Sequence, residues 1–135
     1  MADEKQLLSM IPFAQQVGVE IISAESAEVR GRMRWKPERC TSAGVLHGGA
    51  LMTLADTLGA VCAFLNLPPQ TSTATIESKT NFFRPVKEGH VDGVSRPLHV
   101  GRSLIVAQTD LLDQDGRRVA QVTQTQAVMA RDRGD

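Results

Sequence analysis

Tyrosine is absent from this chain of 135 residues, tryptophan occurs once, at Trp35, and aromatic side chains make up 4% of the whole. An aryl ring would find few stacking partners here, although Leu, Met and Phe remain to line an apolar tunnel. Cysteine is nearly as scarce. Cys40 and Cys62 make neither a disulfide framework nor a zinc-ligand spacing, and a reducing interior is the natural setting. Net charge is missing as well: 15 basic residues balance 15 acidic ones, so no overall field recruits nucleic acid or a membrane surface. The N-terminus, MADEKQLLSM, has acid where a secretory leader has base, and no long apolar core follows it. A cytoplasmic protein is expected. No repeat, low-complexity tract or linker divides the chain, and its length suits a single domain over residues 1–135.

One long apolar stretch is present, Leu46 to Leu67, and it holds a single carboxylate, Asp56, near its middle. A transmembrane span needs about 20 apolar residues. Here Asp56, His47, Asn66, two threonines and three glycines interrupt the run, and no basic cluster flanks it, so a helix buried in protein is the better account. An Asp buried unpaired among Leu, Met and Ala would cost several kcal/mol. Either a partner compensates it or the site uses a perturbed carboxylate. Gly48 and Gly49 open the stretch directly after His47. Backbone free of side chains at a helix start presents N–H groups to an oxyanion or a polarised carbonyl.

Period-two patterning surrounds this helix. From Ala27 to Lys36, Ala27, Val29, Gly31, Met33 and Trp35 alternate with Glu28 and a run of Arg and Lys, as in a half-buried strand. A shorter strand is expected at Val17–Ser23, a long one at Thr71–Arg84, a weaker one at His90–Val100, and two more at Ser103–Leu112 and Arg118–Met129. Gly93 and Pro97 suggest a bulge or an edge in the weaker strand. Residues 1–13 read as a helical extension with a short helix over Asp3–Ile11 closed by Pro12, and 131–135 as a frayed tail. One buried helix against one antiparallel sheet is an α+β solution. A single sheet curled around the helix is favoured, with a second subunit over the remainder.

The run Gly44-Val45-Leu46-His47-Gly48-Gly49, with Asp56 nine residues past the histidine, resembles the hotdog-fold thioesterases, in particular the phenylacetate-degradation-type or acyl-CoA thioesterase 13-like subgroup. The segments Asn81 to Val86, Gly101-Arg102-Ser103 and Asp113 to Gly116 are similar to that family too, and the resemblance covers about Val17 to Met129. It implies a curved sheet around the central helix, and homodimers or homotetramers with sites at the subunit interface. It also implies acyl or aroyl thioesters of coenzyme A, sometimes of acyl carrier protein, as substrates, with no metal and no cofactor beyond the coenzyme A of the substrate itself. By the same resemblance the Gly48 N–H polarises the thioester carbonyl, Gly49 permits close approach, His47 places the loop, and Asp56 is general base or nucleophile. Thr75, ten residues before Pro85, stands where relatives place a Ser or Thr that assists the water. Thr41, followed by Ser42, stands where relatives often carry an Asn, and one hydroxyl cannot copy both ends of an amide.

Each of these residues also has a plainer role open to it. Asp56 could pair across a subunit interface, the glycines could simply allow tight packing, and Thr75 suits a strand. Arg84, Lys87 and Arg102 would either grip the nucleotide phosphates or be solvated, and Glu77 reads first as a salt-bridge residue. A dehydratase or hydratase acting on acyl thioesters, and a non-catalytic acyl-CoA binder, stand as alternatives to the hydrolase.

Overall fold

In a computed structural model, which describes residues 3–131, the apolar stretch is one 18-residue helix, α3 (Gly48–Leu65). Length and composition alone would let α3 cross a membrane, but 56% of it is buried inside the fold. Leu51, Leu54, Ala55, Leu58, Val61 and Cys62 form its core face. Asn66 ends it, its Nδ2 donating to the carbonyls of Ser26 (2.7 Å) and Cys62 (2.8 Å).

Six strands make one antiparallel sheet: β1 (Val19–Glu25), β2 (Glu28–Arg34), β3 (Thr71–Phe82), β4 (His90–Val100), β5 (Leu104–Asp113) and β6 (Arg118–Ala130), in the order β1-β2-β4-β5-β6-β3. Flat, it would measure about 24 Å between its outer strands, far wider than a helix of about 10 Å. Yet α3 packs against every strand. The sheet therefore curves around the helix, as the apolar girth of α3 demands. A tight approach lies at Gly31 and Gly93, opposed on β2 and β4. A Cβ there would lie 2.6 Å or 2.5 Å from a Leu58 methyl. The two glycines form a seat for Leu58.

The alternation read in β2 holds: Val29, Gly31 and Met33 face the helix. Its outward arginines pair with Glu28 (Arg30, 2.6 Å), Asp92 (Arg32, 2.7 Å) and Glu20 (Arg34, 3.2 Å). Three readings need correction. The N-terminal segment is two helices, α1 (Glu4–Ser9) and α2 (Pro12–Val17). Pro12 opens α2, at a first-turn position whose missing N–H has no bond to lose. Second, β4 is not an edge: it lies between β2 and β5, and Pro97 falls beyond the last β2 partner, Ser95. The bulge does exist, between Pro97 and His99.

The third concerns β3, the long strand expected at Thr71–Arg84, where strict alternation would keep one parity toward the helix throughout. A bulge between Thr75 and Glu77 breaks that parity. Thr73 and Thr75 pair with Val128 and Gln126, whereas Ser78, Thr80 and Phe82 pair with Gln124, Val122 and Ala120. Opposed residues share a face. The helix-facing set thus changes from odd to even numbers at Ile76, which is left 57% exposed. The expected frayed tail lies outside the described residues except for Arg131, whose N–H bonds the Gln70 carbonyl (3.1 Å).

Candidate active site

The site begins where α3 begins. His47, in extended conformation, is the N-cap, and its Nδ1 accepts the Gly49 N–H at 2.7 Å. The His47 carbonyl takes the Ala50 and Leu51 N–H groups (2.9 and 3.1 Å). That leaves the Gly48 N–H without a partner among the described residues. Gly49 does give close approach, but to the His47 ring: a Cβ would stand 2.9 Å from Nδ1. Gly48 lies under the ring of Phe82, 3.2 Å from a would-be Cβ. A crevice of about 330 Å³ opens here, lined by Gly48, Leu51, Phe82, Phe83, Arg84 and Val86. Removing the cap with His47→Ala should cost about 1 kcal/mol, read as a lower urea midpoint with an unchanged m-value.

Asp56 lies eight residues on, about 12 Å along the helix axis. It is not buried unpaired: in the single chain its outer edge is open to solvent. The carboxyl nevertheless sits in a crevice of about 260 Å³ with Ile11, Phe13, Met52, Thr53, Thr57 and Ser78. This largely apolar wall desolvates the carboxylate and raises its pKa, opposed by a hydrogen bond from Gln124. Gly59, three residues past Asp56, leaves a gap beside the carboxylate that the same Gln124 side chain fills.

The other residues singled out in the sequence divide. Thr75 Oγ1 faces the helix and accepts from Gln126 Nε2 at 2.7 Å. Thr41 Oγ1 is engaged in its own turn, accepting the Ala43 N–H (3.3 Å). Arg84 lines the Gly48 crevice, and Lys87 the neighbouring one with Glu88 and Asp113. Arg102 is exposed at the β4–β5 turn, at the Ala74 end of the sheet, so one chain does not bring it to Gly48. Glu77 accepts a hydrogen bond from Thr125 and has no salt bridge among the described residues. Sequence reasoning missed Ser78, Gln124 and Gln126. The signal was there: in Val122-Thr123-Gln124-Thr125-Gln126, glutamine twice takes the core-facing step of the alternation. Among the described residues no group of three or more His, Cys, Asp and Glu assembles as metal ligands would.

Residues 43–120, which hold both Gly48 and Asp56, match the family model described as thioesterase superfamily. The chain belongs to that superfamily. A relative, the 1,4-dihydroxy-2-naphthoyl-CoA hydrolase of Escherichia coli (strain K12), is 35% identical over 86 residues, which is 64% of this chain and 63% of that protein. The chain thus matches less than two thirds of the length of such curated relatives. Among solved structures, a Haemophilus influenzae thioesterase superposes with TM-score 0.92 at 22% identity, covering 100% of this chain and 96% of that one. A hypothetical thioesterase from Streptococcus pneumoniae TIGR4, solved with coenzyme A, superposes with TM-score 0.81 at 24% identity, covering 96% and 100%. The curved sheet around one helix is the hotdog fold of this superfamily.

Proposed function

We propose that this protein is an acyl-CoA thioesterase that hydrolyses an acyl or aroyl thioester to coenzyme A and a carboxylic acid. The observation that carries the reading is the Gly48 N–H, without a partner among the described residues, at the start of the same helix that bears Asp56. Asp56 takes a proton from water, which attacks the thioester carbon, or attacks that carbon itself. The resulting oxyanion accepts a hydrogen bond from Gly48, a contact worth about 3–4 kcal/mol in comparable sites. The C–S bond then breaks: the thiolate leaves with the proton that Asp56 took from water or, after direct attack, with one from solvent, and in that case water hydrolyses the acyl-Asp56 anhydride to the acid and the free carboxylate. Thr75 helps hold the water, Thr41 and Gly49 border the reacting group, and Arg84, Lys87 and Arg102 take the phosphates of the nucleotide end. Coenzyme A as the carrier is supported by the names of the E. coli and S. pneumoniae proteins.

A separation of about 12 Å puts Gly48 and Asp56 of one chain too far apart to serve one carbonyl carbon. This supports a homodimer or homotetramer in which Gly48 of one copy meets Asp56 of another. β3 offers the joint: an edge strand of 12 residues with Ile76 and Phe82 exposed, and Phe83 exposed just past its end. We place the enzyme in the cytoplasm, where the free thiols of Cys40 and Cys62 would stay reduced.

The test is thiol release from coenzyme A thioesters carrying short, medium and long acyl chains, phenylacetyl and hydroxybenzoyl groups. Turnover of at least one is expected. Saturable binding of a thioester with no free thiol from any member would overturn hydrolysis in favour of a binder.

A further inference from the structure

Two glutamines on β6 do nothing in the reaction as described. Gln124 and Gln126 occupy successive helix-facing positions after Ala120 and Val122, and they are 0% and 1% exposed. A buried amide is expensive unless its hydrogen bonds are made. Those of Gln126 are made: Nε2 donates to Thr75 Oγ1 (2.7 Å), and Oε1 accepts from Thr73 Oγ1 (3.1 Å). Gln124 is different. Its Oε1 is buried with no partner among the described residues, while its Nε2 reaches the Asp56 carboxylate Oδ1 at 3.4 Å and the Asp56 carbonyl at 3.5 Å. Space for it exists because residue 59 is glycine. A Cβ on Gly59 would lie 2.0 Å from Gln124 Oε1. Gly59 follows Asp56 by three residues, so gap and carboxylate share one stretch of the helix surface.

We propose that Gln124 is a positioning residue for Asp56: seated in the gap at Gly59, its amide donates to the carboxylate, fixes its orientation and favours its ionised form. The inference rests on the reading of Asp56 as the reacting acid. A leucine or methionine would fill the same volume and leave no orphaned oxygen, so packing does not explain the amide. The contact to Asp56 does. The other described groups around the carboxyl are uncharged: Ile11 and Phe13 from the N-terminal segment, Thr53 and Thr57 from α3, and Ser78 from β3. Among the described residues no ion pair competes with the amide there. By the same arrangement Gln126 anchors Thr75, so neighbouring positions of one strand hold both side chains assigned to the water.

The experiment follows the Asp56 carboxyl by carbon-13 NMR titration in the whole protein, with Asp56→Asn assigning the resonance, beside the pH profile of thioester turnover. Gln124→Met keeps the volume and removes the donor; Gln124→Asn keeps the amide on an arm one methylene too short. In both, the carboxyl should titrate at higher pH than in the parent. Turnover near neutrality should fall about tenfold, with KM within about twofold because the substrate itself is untouched. A titration curve superimposable on the parent's in either folded variant would overturn the proposal. Full turnover in Asp56→Asn would instead overturn the assigned role of Asp56, and the titration separates that failure from this one.

Discussion

Asp56→Asn should lower kcat by about 10²–10⁴-fold, the range lost with a positioned general base, while leaving thioester binding nearly intact. The same substitution should raise the melting temperature. Desolvation by the apolar crevice wall raises the Asp56 pKa in the folded chain, and the Gln124 hydrogen bond only partly offsets it. A carboxyl with a raised folded-state pKa contributes stability that is fully present below its unfolded pKa and is lost as pH rises through the folded value. At neutral pH the ionised Asp56 is therefore a burden on the fold, and asparagine removes it. The open outer edge of Asp56 screens the effect, so a gain of about 1–3 °C is expected. The parent's acidic limb of kcat against pH should lie above the ordinary carboxylate range. A variant that is both inactive and less stable would mark the carboxylate as structural, and one that turned over at the parent rate would remove it from the chemistry.

The largest effect on stability is expected at the glycine seat. Leu58 is fully buried between Gly31 and Gly93. Leu58→Ala should cost about 2–5 kcal/mol through lost transfer energy and the cavity left behind. Gly93→Val drives a side chain into the same space and should cost about 1–3 kcal/mol or more, as overpacking does. Combined, the two changes should cost less than their sum by about 0.5–3 kcal/mol, because the alanine vacates what the valine fills. Urea unfolding of the four proteins measures this. Strict additivity would mean that Leu58 does not determine how closely α3 approaches the sheet.

Much of this was legible in the residues. The alternation around β2 located a half-buried strand because charge and apolar groups separate there without exception from Glu28 to Arg34. The apolar girth of α3 called for a wrapped helix, and the His47-Gly48-Gly49 run located its start. Illegible were features that depend on a neighbour. Pro97 reads as an edge signal until the register shows that β2 stops short of it. Pro12 reads as a stop, although the same fixed φ that ends one helix can begin another. Asp56 reads as buried because its sequence neighbours are apolar, yet the side chain points along the open flank of α3. Gln124 could not be linked to Asp56 at all, since 68 residues separate them and only the wrapping of β6 over α3 makes them touch.

The bulge at Ile76 means that β3 is written in two reading frames. Thr73 and Thr75 obey one, Ser78, Thr80 and Phe82 the other, and a single supernumerary residue performs the switch. Losing any one residue between Thr75 and Ser78 would give a smoother ribbon, but only one of the two frames could then keep its face toward α3. Either the hydroxyl held by Gln126 or the ring over Gly48 would turn to the far side. This short stretch should therefore accept many replacements in kind and almost no change in length.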